Sequence, residues 1–259
     1  MKMNKRPKKD PNTFVFATSY ISDENTLVNR YYKWIDFYLK YFHTVHLIDD
    51  GSPIKYLKAI KRKYKRVIIH TFDTHLGRPS LYQVYGWLRS FNESLRLAKE
   101  YNCDKIIHIE SDLFIFNTEM IDCIKNVKEE WHIAHDMTWS VPESSLQVIN
   151  KDQFDWFEWY TENNFDFIDS NPTGFEANMN QWYKQVEFHV PHTNILKTFK
   201  GGRHTSGVFY WCEELEKWSI VAYNKDQSIG LGSTQVYTKP IDYISNFPID
   251  QKLQPDLAH

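Results

Sequence analysis

The sequence predicts an α/β protein, with a mostly parallel central sheet covered by helices on both faces and a less regular second half. Three observations carry this. Short β-branched and aromatic runs alternate with helical periodicities in the first half, the connections between them are short, and acidic turns close two of the runs. Strands joined through helices must run parallel, because a parallel pair needs a crossover connection.

Taken in order, Thr13 to Ile21 (TFVFATSYI) reads as the opening strand. Ser22, Asp23 and Asn25 then offer caps for a helix running to about Phe42. Its residues Leu27, Tyr31, Trp34, Tyr38 and Tyr41 recur at spacings of three and four and so share one face. Thr44 to Ile48 is the second strand, stopped by Asp49-Asp50-Gly51-Ser52-Pro53, a turn by composition. A basic helix over about Ile54 to Tyr64 leads to a third strand, Arg66 to Phe72. Gly77, Arg78 and Pro79 form a loop, and Ser80 with Gln83 matches a capping box. The helix beyond sets Leu88, Phe91, Leu95 and Ala98 on one side. Lys105 to Ile109 is the fourth strand, ending in Glu110-Ser111-Asp112.

From about Asp136 the pattern loosens. Asp152 to Tyr160 is acidic and aromatic, Asn163 to Ala177 is turn-rich, and Gly201 to Cys212 reads as a glycine turn feeding a strand. The stretch from Gly230 onward is glycine-, proline- and polar-rich and is expected to wrap back over the fold. No internal repeat and no linker is visible. A basic tail over 1–12 therefore precedes one domain over 13–259, divided into halves at 13–117 and 118–259.

Composition narrows the function. Hydrophobic residues at 42% and charged residues at 25% are ordinary for a globular protein. Lysine plus arginine (31) against aspartate plus glutamate (33) gives a net charge of -2, which argues against a nucleic-acid partner. Cys103, Cys123 and Cys212 lack CxxC spacing, so a reducing, cytoplasmic setting is expected rather than a zinc cluster or disulfide scaffold. No apolar run approaches the roughly 18 residues that a membrane-spanning helix needs. The tail residues Lys2, Lys5, Arg6, Lys8 and Lys9 offer a peripheral attraction to anionic lipid, or are simply a solvated end.

The acidic turns carry the chemistry. In an open parallel sheet, ligands bind at the carboxyl ends of the strands, where the strand order reverses. Asp49 and Asp50 close the second strand; as a bland alternative they are good turn formers. Glu110 and Asp112 follow a buried apolar strand, a costly position unless something cationic compensates them. If the backbone stays extended, their i, i+2 spacing points both the same way. A divalent ion bridging them to a diphosphate is the economical explanation, since hard oxygen ligands suit Mg²⁺ or Mn²⁺.

These segments resemble the nucleotide-diphosphosugar glycosyltransferases of the GT-A fold. The resembling residues are Phe14-Val15-Phe16-Ala17-Thr18, Asp49-Asp50-Gly51-Ser52, and Ile107-His108-Ile109-Glu110-Ser111-Asp112 as a variant of the DxD motif, with Glu110 in place of the usual first Asp. The likeness covers residues 13 to 117 well and the remainder loosely. It implies a metal-dependent transferase taking a sugar from a UDP, GDP or dTDP donor to a saccharide or glycolipid acceptor, with Mn²⁺ or Mg²⁺ as cofactor. It implies nucleotide-sugar contacts from Thr18, Asp49, Asp50, Glu110, Ser111 and Asp112, with Asp112 and Glu110 as metal ligands; His204, beside the glycine turn, is a candidate third metal ligand or a diphosphate contact, or is a structural histidine. For the base of an inverting transfer, Asp226 in Asn224-Lys225-Asp226-Gln227 comes first and Glu176 second. Either can instead be a surface acid or a ligand of donor hydroxyls, and a retaining transfer stays open. Arg78 and Arg89 are forks that match phosphate oxygens, although Arg89 reads equally well as an exposed helix residue.

Tryptophans cluster in the second half, among them Trp139, Trp156, Trp159, Trp182 and Trp211. Of these, Trp139, Trp182 and Trp211 are expected on the acceptor; amphipathic packing explains Trp156 and Trp159 equally well. Two other classes compete. A carbohydrate-binding module would use the aromatics but gives no reason for acids at two strand ends. A nucleotidyltransferase would want a glycine-rich basic loop after the first strand, where this chain has Ser19-Tyr20-Ile21-Ser22-Asp23.

Overall fold

The computed structural model describes residues 12–80, 83–115, 118–136, 141–170, 196–204, 207–212 and 217–223. The opening strand β1 (Thr13–Ser19) is buried along nearly its whole length, as its unbroken apolar run requires of a strand covered on both faces. It pairs in parallel with β2 (Val45–Asp49) on one side and β4 (Lys105–Ile109) on the other; β2 pairs in parallel with β3 (Val67–Thr71). The order β3-β2-β1-β4 reverses direction between β1 and β4, the switch point at which a ligand crevice opens.

The sheet continues past β4 with antiparallel and parallel strands. These are β7 (Val141–Asn150), β6 (Trp131–Asp136), β8 (Leu196–His204), β9 (Gly207–Cys212), β10 (Lys217–Tyr223) and finally β5 (Leu113–Ile115). The expected α/β architecture is therefore observed, with the parallel strands at the centre of the first half. Gly201 and Gly202 differ from expectation. They lie within β8, paired with Tyr210 and Phe209, and the chain reverses between His204 and Gly207. Glycine accepts extended backbone as readily as a turn, so the pair by itself could not say which it forms.

Helices cover both faces. On one side lie α1 (Glu24–Thr26), a π-helical turn Leu27–Tyr32, α2 (Lys33–Tyr38), α3 (Ile54–Lys63) and α5 (Thr118–Asn126). They bury Leu27, Tyr31, Trp34, Leu57, Ile60 and Met120 against Val15, Leu47 and Ile107. On the other, α4 (Tyr85–Glu100) and α6 (Phe154–Ser170) enclose Phe14, Phe16, Ile48 and Ile106 with Leu88, Phe91, Leu95, Ala98 and Phe157. Losing a ring such as the fully buried Trp34 would cost about 3–5 kcal/mol. The apolar faces fall where the spacing predicts. The first helix starts under the Asp23 cap, whose carboxylate accepts from the Thr26 amide at 2.7 Å. Its interior, however, is π-helical, which the 3.6-residue period does not reveal. The Ser80 hydroxyl accepts from the Gln83 amide at 3.1 Å, and α4 then starts at Tyr85.

Among the described residues, no helix is long and apolar enough to cross a membrane. Cys103 and Cys123 are free thiols.

Candidate functional site at the carboxyl edge of the sheet

Strand direction gathers one set of ends. The carboxyl ends of β1, β2, β3, β4, β6, β8 and β10 share an edge with the amino ends of β5, β7 and β9. Thr18, Asp49, Asp50 and Glu110-Ser111-Asp112 all come to this edge, as do the backbones of Asp136 and His204.

Asp49 is fully buried and accepts five hydrogen bonds, from the Ser19, Ser52 and Thr71 hydroxyls and from the Gly51 and Ser52 amides. A carboxylate removed from water requires this many donors, and here they build the turn after β2. Gly51 has φ +84°, and a side chain there would come within 2.7 Å of the Thr74 backbone. Asp50 points the other way. It pairs with Arg89, sits 2.8 Å from His75 Nδ1 and accepts from the Gly77 amide at 2.9 Å. Gly86 lets this happen, since a Cβ at that position would overlap the Asp50 carboxylate. Arg89 also donates to the Thr74 carbonyl and lies 4.0 Å over the Phe72 ring, so its guanidinium is held against the loop rather than exposed on the helix. Both acids of this turn are therefore engaged within the protein, Asp49 building the turn itself and Asp50 binding the 74–78 loop to it. Tyr20 stacks on His75 at 3.6 Å and forms an aromatic ledge beside them. Arg78 stands exposed on the same loop, its Nε donating to the Ser80 carbonyl at 3.3 Å. Thr18 is buried on β1, paired with Ile48, one residue before the Ser19 that serves Asp49.

The second acidic turn is different. Its backbone is not extended: the Leu113 amide bonds back to the Glu110 carbonyl at 2.9 Å and closes a tight turn. Glu110 accepts from the Ser144 hydroxyl at 2.9 Å, and its own amide donates to the Ser145 carbonyl of β7. Tyr38 on α2 fixes the exit, donating to the Leu113 carbonyl at 3.1 Å and accepting from the Ile115 amide at 3.2 Å. Asp112 Oδ2 meets Arg30 Nη2 at 3.2 Å, and Arg30 Nε donates to the Ser111 hydroxyl at 2.7 Å. The other carboxylate oxygen, Asp112 Oδ1, is buried without a hydrogen-bond partner among the described residues. The compensation expected from a bound cation is thus supplied in part by the chain itself. Burial works against the Arg30 charge, but Asp112, with Tyr31 and Glu110, outweighs it and raises the guanidinium pKa above its ordinary value.

Arg30 is the residue that sequence reasoning missed. It sits three residues after Leu27 and four before Trp34, a cation on the apolar stripe of its helix, and that anomaly was the available signal. His108, two residues before Glu110, is also fully buried. Its Nδ1 must donate to the Ser144 carbonyl at 3.0 Å, and burial pushes its pKa down to about 3.

Glu110 and Asp112 could hold a divalent cation between them. Among the described residues there is no group of three His, Cys, Asp or Glu side chains that would form a complete cage. Two carboxylates suffice only for an ion such as Mg²⁺ or Mn²⁺, which completes its shell from phosphate and water. The unpartnered Asp112 Oδ1 is the lone pair such an ion would use. The backbone of His204 lies at the β8–β9 reversal on this edge. Trp211 is registered with Lys200 and Trp218, toward the opposite end of β9. Trp139, Glu176, Trp182 and Asp226 lie outside the described residues.

No family model matches the sequence, and no curated protein matches it. Solved structures of similar shape include the glycosyltransferase GlyE of Streptococcus pneumoniae TIGR4, at 12% identity and TM-score 0.46, covering 72% of this chain and 45% of that one. An active-site mutant of LgtC is 12% identical with TM-score 0.48, covering 72% of each chain. A glycosyltransferase involved in glycosylation of the major capsid of PBCV-1 is 9% identical with TM-score 0.42, covering 72% of this chain and 82% of that one. This chain therefore spans less than half of GlyE, and at such identities no residue's role passes from one protein to the other.

Proposed function

We propose that this protein is a glycosyltransferase that moves a sugar from a nucleotide-diphosphate donor (UDP, GDP or dTDP) to a saccharide or glycolipid acceptor, using Mn²⁺ or Mg²⁺ at Asp112 and Glu110. The observation behind this reading is the buried, unpartnered Asp112 Oδ1 on the carboxyl edge, beside the switch between β1 and β4. A dry carboxylate oxygen with no donor costs about 1–3 kcal/mol or more, a cost that a ligand can remove. The sequence resemblance of residues 13–117 supplies the donor class.

A divalent cation there would stabilise the charge that develops on the departing diphosphate. The chain's own groups do the rest. Arg78, exposed on a loop tied to Asp50, carries a guanidinium fork whose geometry matches phosphate oxygens. Thr18, Asp49, Asp50 and Ser111 shape the nucleotide side, the two aspartates chiefly by fixing their loop. Asp226 is our choice for the base that takes the acceptor hydroxyl proton in an inverting transfer, with Glu176 second. Support for Asp226 comes from register: Tyr223 ends β10 opposite Leu113, next to Asp112 in sequence, and Asp226 follows three residues later. His204 is a third metal ligand in this reading, and Trp139 and Trp182 are the acceptor-side rings; the register of Trp211, toward the far end of β9, takes it off this edge.

Titration with UDP, GDP and dTDP, with and without Mn²⁺, by calorimetry tests it. One nucleotide diphosphate should bind in a Mn²⁺-dependent way, and Asp112→Asn should remove that dependence. Asp226→Asn should leave binding intact and abolish transfer. Metal-independent binding of free saccharide, with no response to any nucleotide, would overturn the proposal in favour of a carbohydrate-binding module.

A further inference from the structure

The Asp112 carboxylate has two oxygens in two conditions: Oδ1 is buried with no hydrogen-bond partner among the described residues, while Oδ2 is paired with Arg30 at 3.2 Å. The Arg30 and Asp112 side chains are only 24% and 18% exposed, so their attraction is weakly screened. Arg30 is aimed at this spot by more than one restraint. Its Nε is spent on Ser111 Oγ at 2.7 Å, and it lies in the π-helical turn Leu27–Tyr32. The next residue, Tyr31, is fixed because its hydroxyl accepts from the Tyr20 amide at 2.9 Å. An inserted π turn shifts the side chains around the helix axis, and such turns concentrate at functional sites. Nothing about packing requires a guanidinium on that apolar stripe; the charge of the acidic turn does.

We infer that Arg30 is a built-in counter-ion of the cation site, holding Asp112 in the donor-free protein so that a divalent metal alone binds weakly and gains affinity only together with the nucleotide diphosphate. The inference rests on the reading of Glu110 and Asp112 as cation ligands. Two carboxylates against one guanidinium leave a single net negative charge in the turn. That is a poor trap for a bare dication, whereas an incoming diphosphate adds negative charge and offers the guanidinium a second bidentate partner. Arg30 is in this account a positioning residue, acting on the metal through Asp112.

The test is Mn²⁺ binding by calorimetry and the rise in melting temperature on adding Mn²⁺, each with and without nucleotide diphosphate. Arg30→Met and Arg30→Gln both remove the charge, and the glutamine keeps an N–H donor toward Ser111 or Asp112, which protects folding. Both are expected to bind Mn²⁺ alone about tenfold more tightly than the parent protein, a gain of about 1.4 kcal/mol. They should also show a larger metal-induced melting shift and a smaller enhancement by nucleotide. Arg30→Lys, which keeps the charge, should stay within about threefold of the parent. Neutral variants that bind Mn²⁺ within twofold of the parent, or more weakly, overturn the inference, as does equal tightening in Arg30→Lys. If neither the parent nor the variants bind Mn²⁺ even with nucleotide, the cation reading itself has failed, and the counter-ion role fails with it.

Discussion

Two acidic turns stand at the same edge of one sheet, and the structure treats them in opposite ways. After β2, Asp49 and Asp50 are saturated: one by five hydrogen bonds, the other by Arg89, His75 and the Gly77 amide. After β4, Glu110 accepts from the Ser144 hydroxyl, Asp112 Oδ2 pairs with Arg30, and Asp112 Oδ1 has no hydrogen-bond partner among the described residues. Carboxylates with all their lone pairs answered hold a loop in place. A carboxylate with a buried oxygen that no donor answers carries a cost that a ligand would remove. Both turns put two carboxylates at a strand end, adjacent in one and separated by Ser111 in the other, and they differ in how fully donors answer them.

That contrast can be broken by mutation. The largest effect is expected at the saturated turn. Asp50→Ala leaves the Arg89 charge without its buried partner and should cost about 3–5 kcal/mol in urea unfolding. If the loss is under 1 kcal/mol, Asp50 does not anchor the loop. Asp49→Asn turns an N–H₂ toward groups that are themselves donors, and should cost about 2 kcal/mol in the same measurement.

A pH experiment sharpens the comparison, since each turn is preceded on its strand by a buried histidine. His46 on β2 is held down to about 3 by burial, with His70 adding to it; His108 on β4 is held down to about 3 by burial. Both folded-state values lie below the ordinary 6.5, so in acid the unfolded chain takes up protons that the folded chain refuses. The stability they contribute is complete above about pH 6.5 and is lost as pH falls toward 3. Between pH 6.5 and 5.5 the loss should be about 1 kcal/mol per histidine, read from the denaturation midpoint. His108→Leu should remove roughly half of that slope, and an unchanged slope would exclude His108 as a source.

The smallest stability effect belongs to the incomplete turn. Asp112→Asn should change unfolding by less than about 1 kcal/mol, because it gives up one ion pair and relieves an unpartnered carboxylate oxygen. Yet the same substitution is expected to remove Mn²⁺-dependent nucleotide binding in calorimetry. A large stability loss at Asp112 combined with intact nucleotide binding would place it with Asp49 and Asp50 as a loop builder.

Much of the first half is legible in the chain itself. The strand Lys105–Ile109 needs no adjustment, and the other three shift by a residue or two at their ends. The apolar stripe Leu27, Tyr31, Trp34 and Tyr38 is buried as its spacing demands. The π-helical turn was invisible because Leu27 and Tyr31 stay inward as a regular helix would place them, while Arg30 of the same turn reaches Asp112. Arg89 could not be assigned from its helix position either. What holds it, Asp50 and Thr74, comes from two separate turns that only the folded sheet brings together.

Alternation of apolar runs with helical periods determined the first four strands, the helices between them and the edge where the acids collect. These are local properties, fixed by which side chains a segment must bury. The same alternation missed β5, β6, β7 and β10 and read as turns the stretch from Asn163 that α6 continues to Ser170. Whether each acid at that edge was answered or left wanting was decided only by tertiary structure, because donors for a buried carboxylate come from residues distant in the chain: Thr71 and Ser19 for Asp49, Arg89 and Gly77 for Asp50, Arg30 for Asp112.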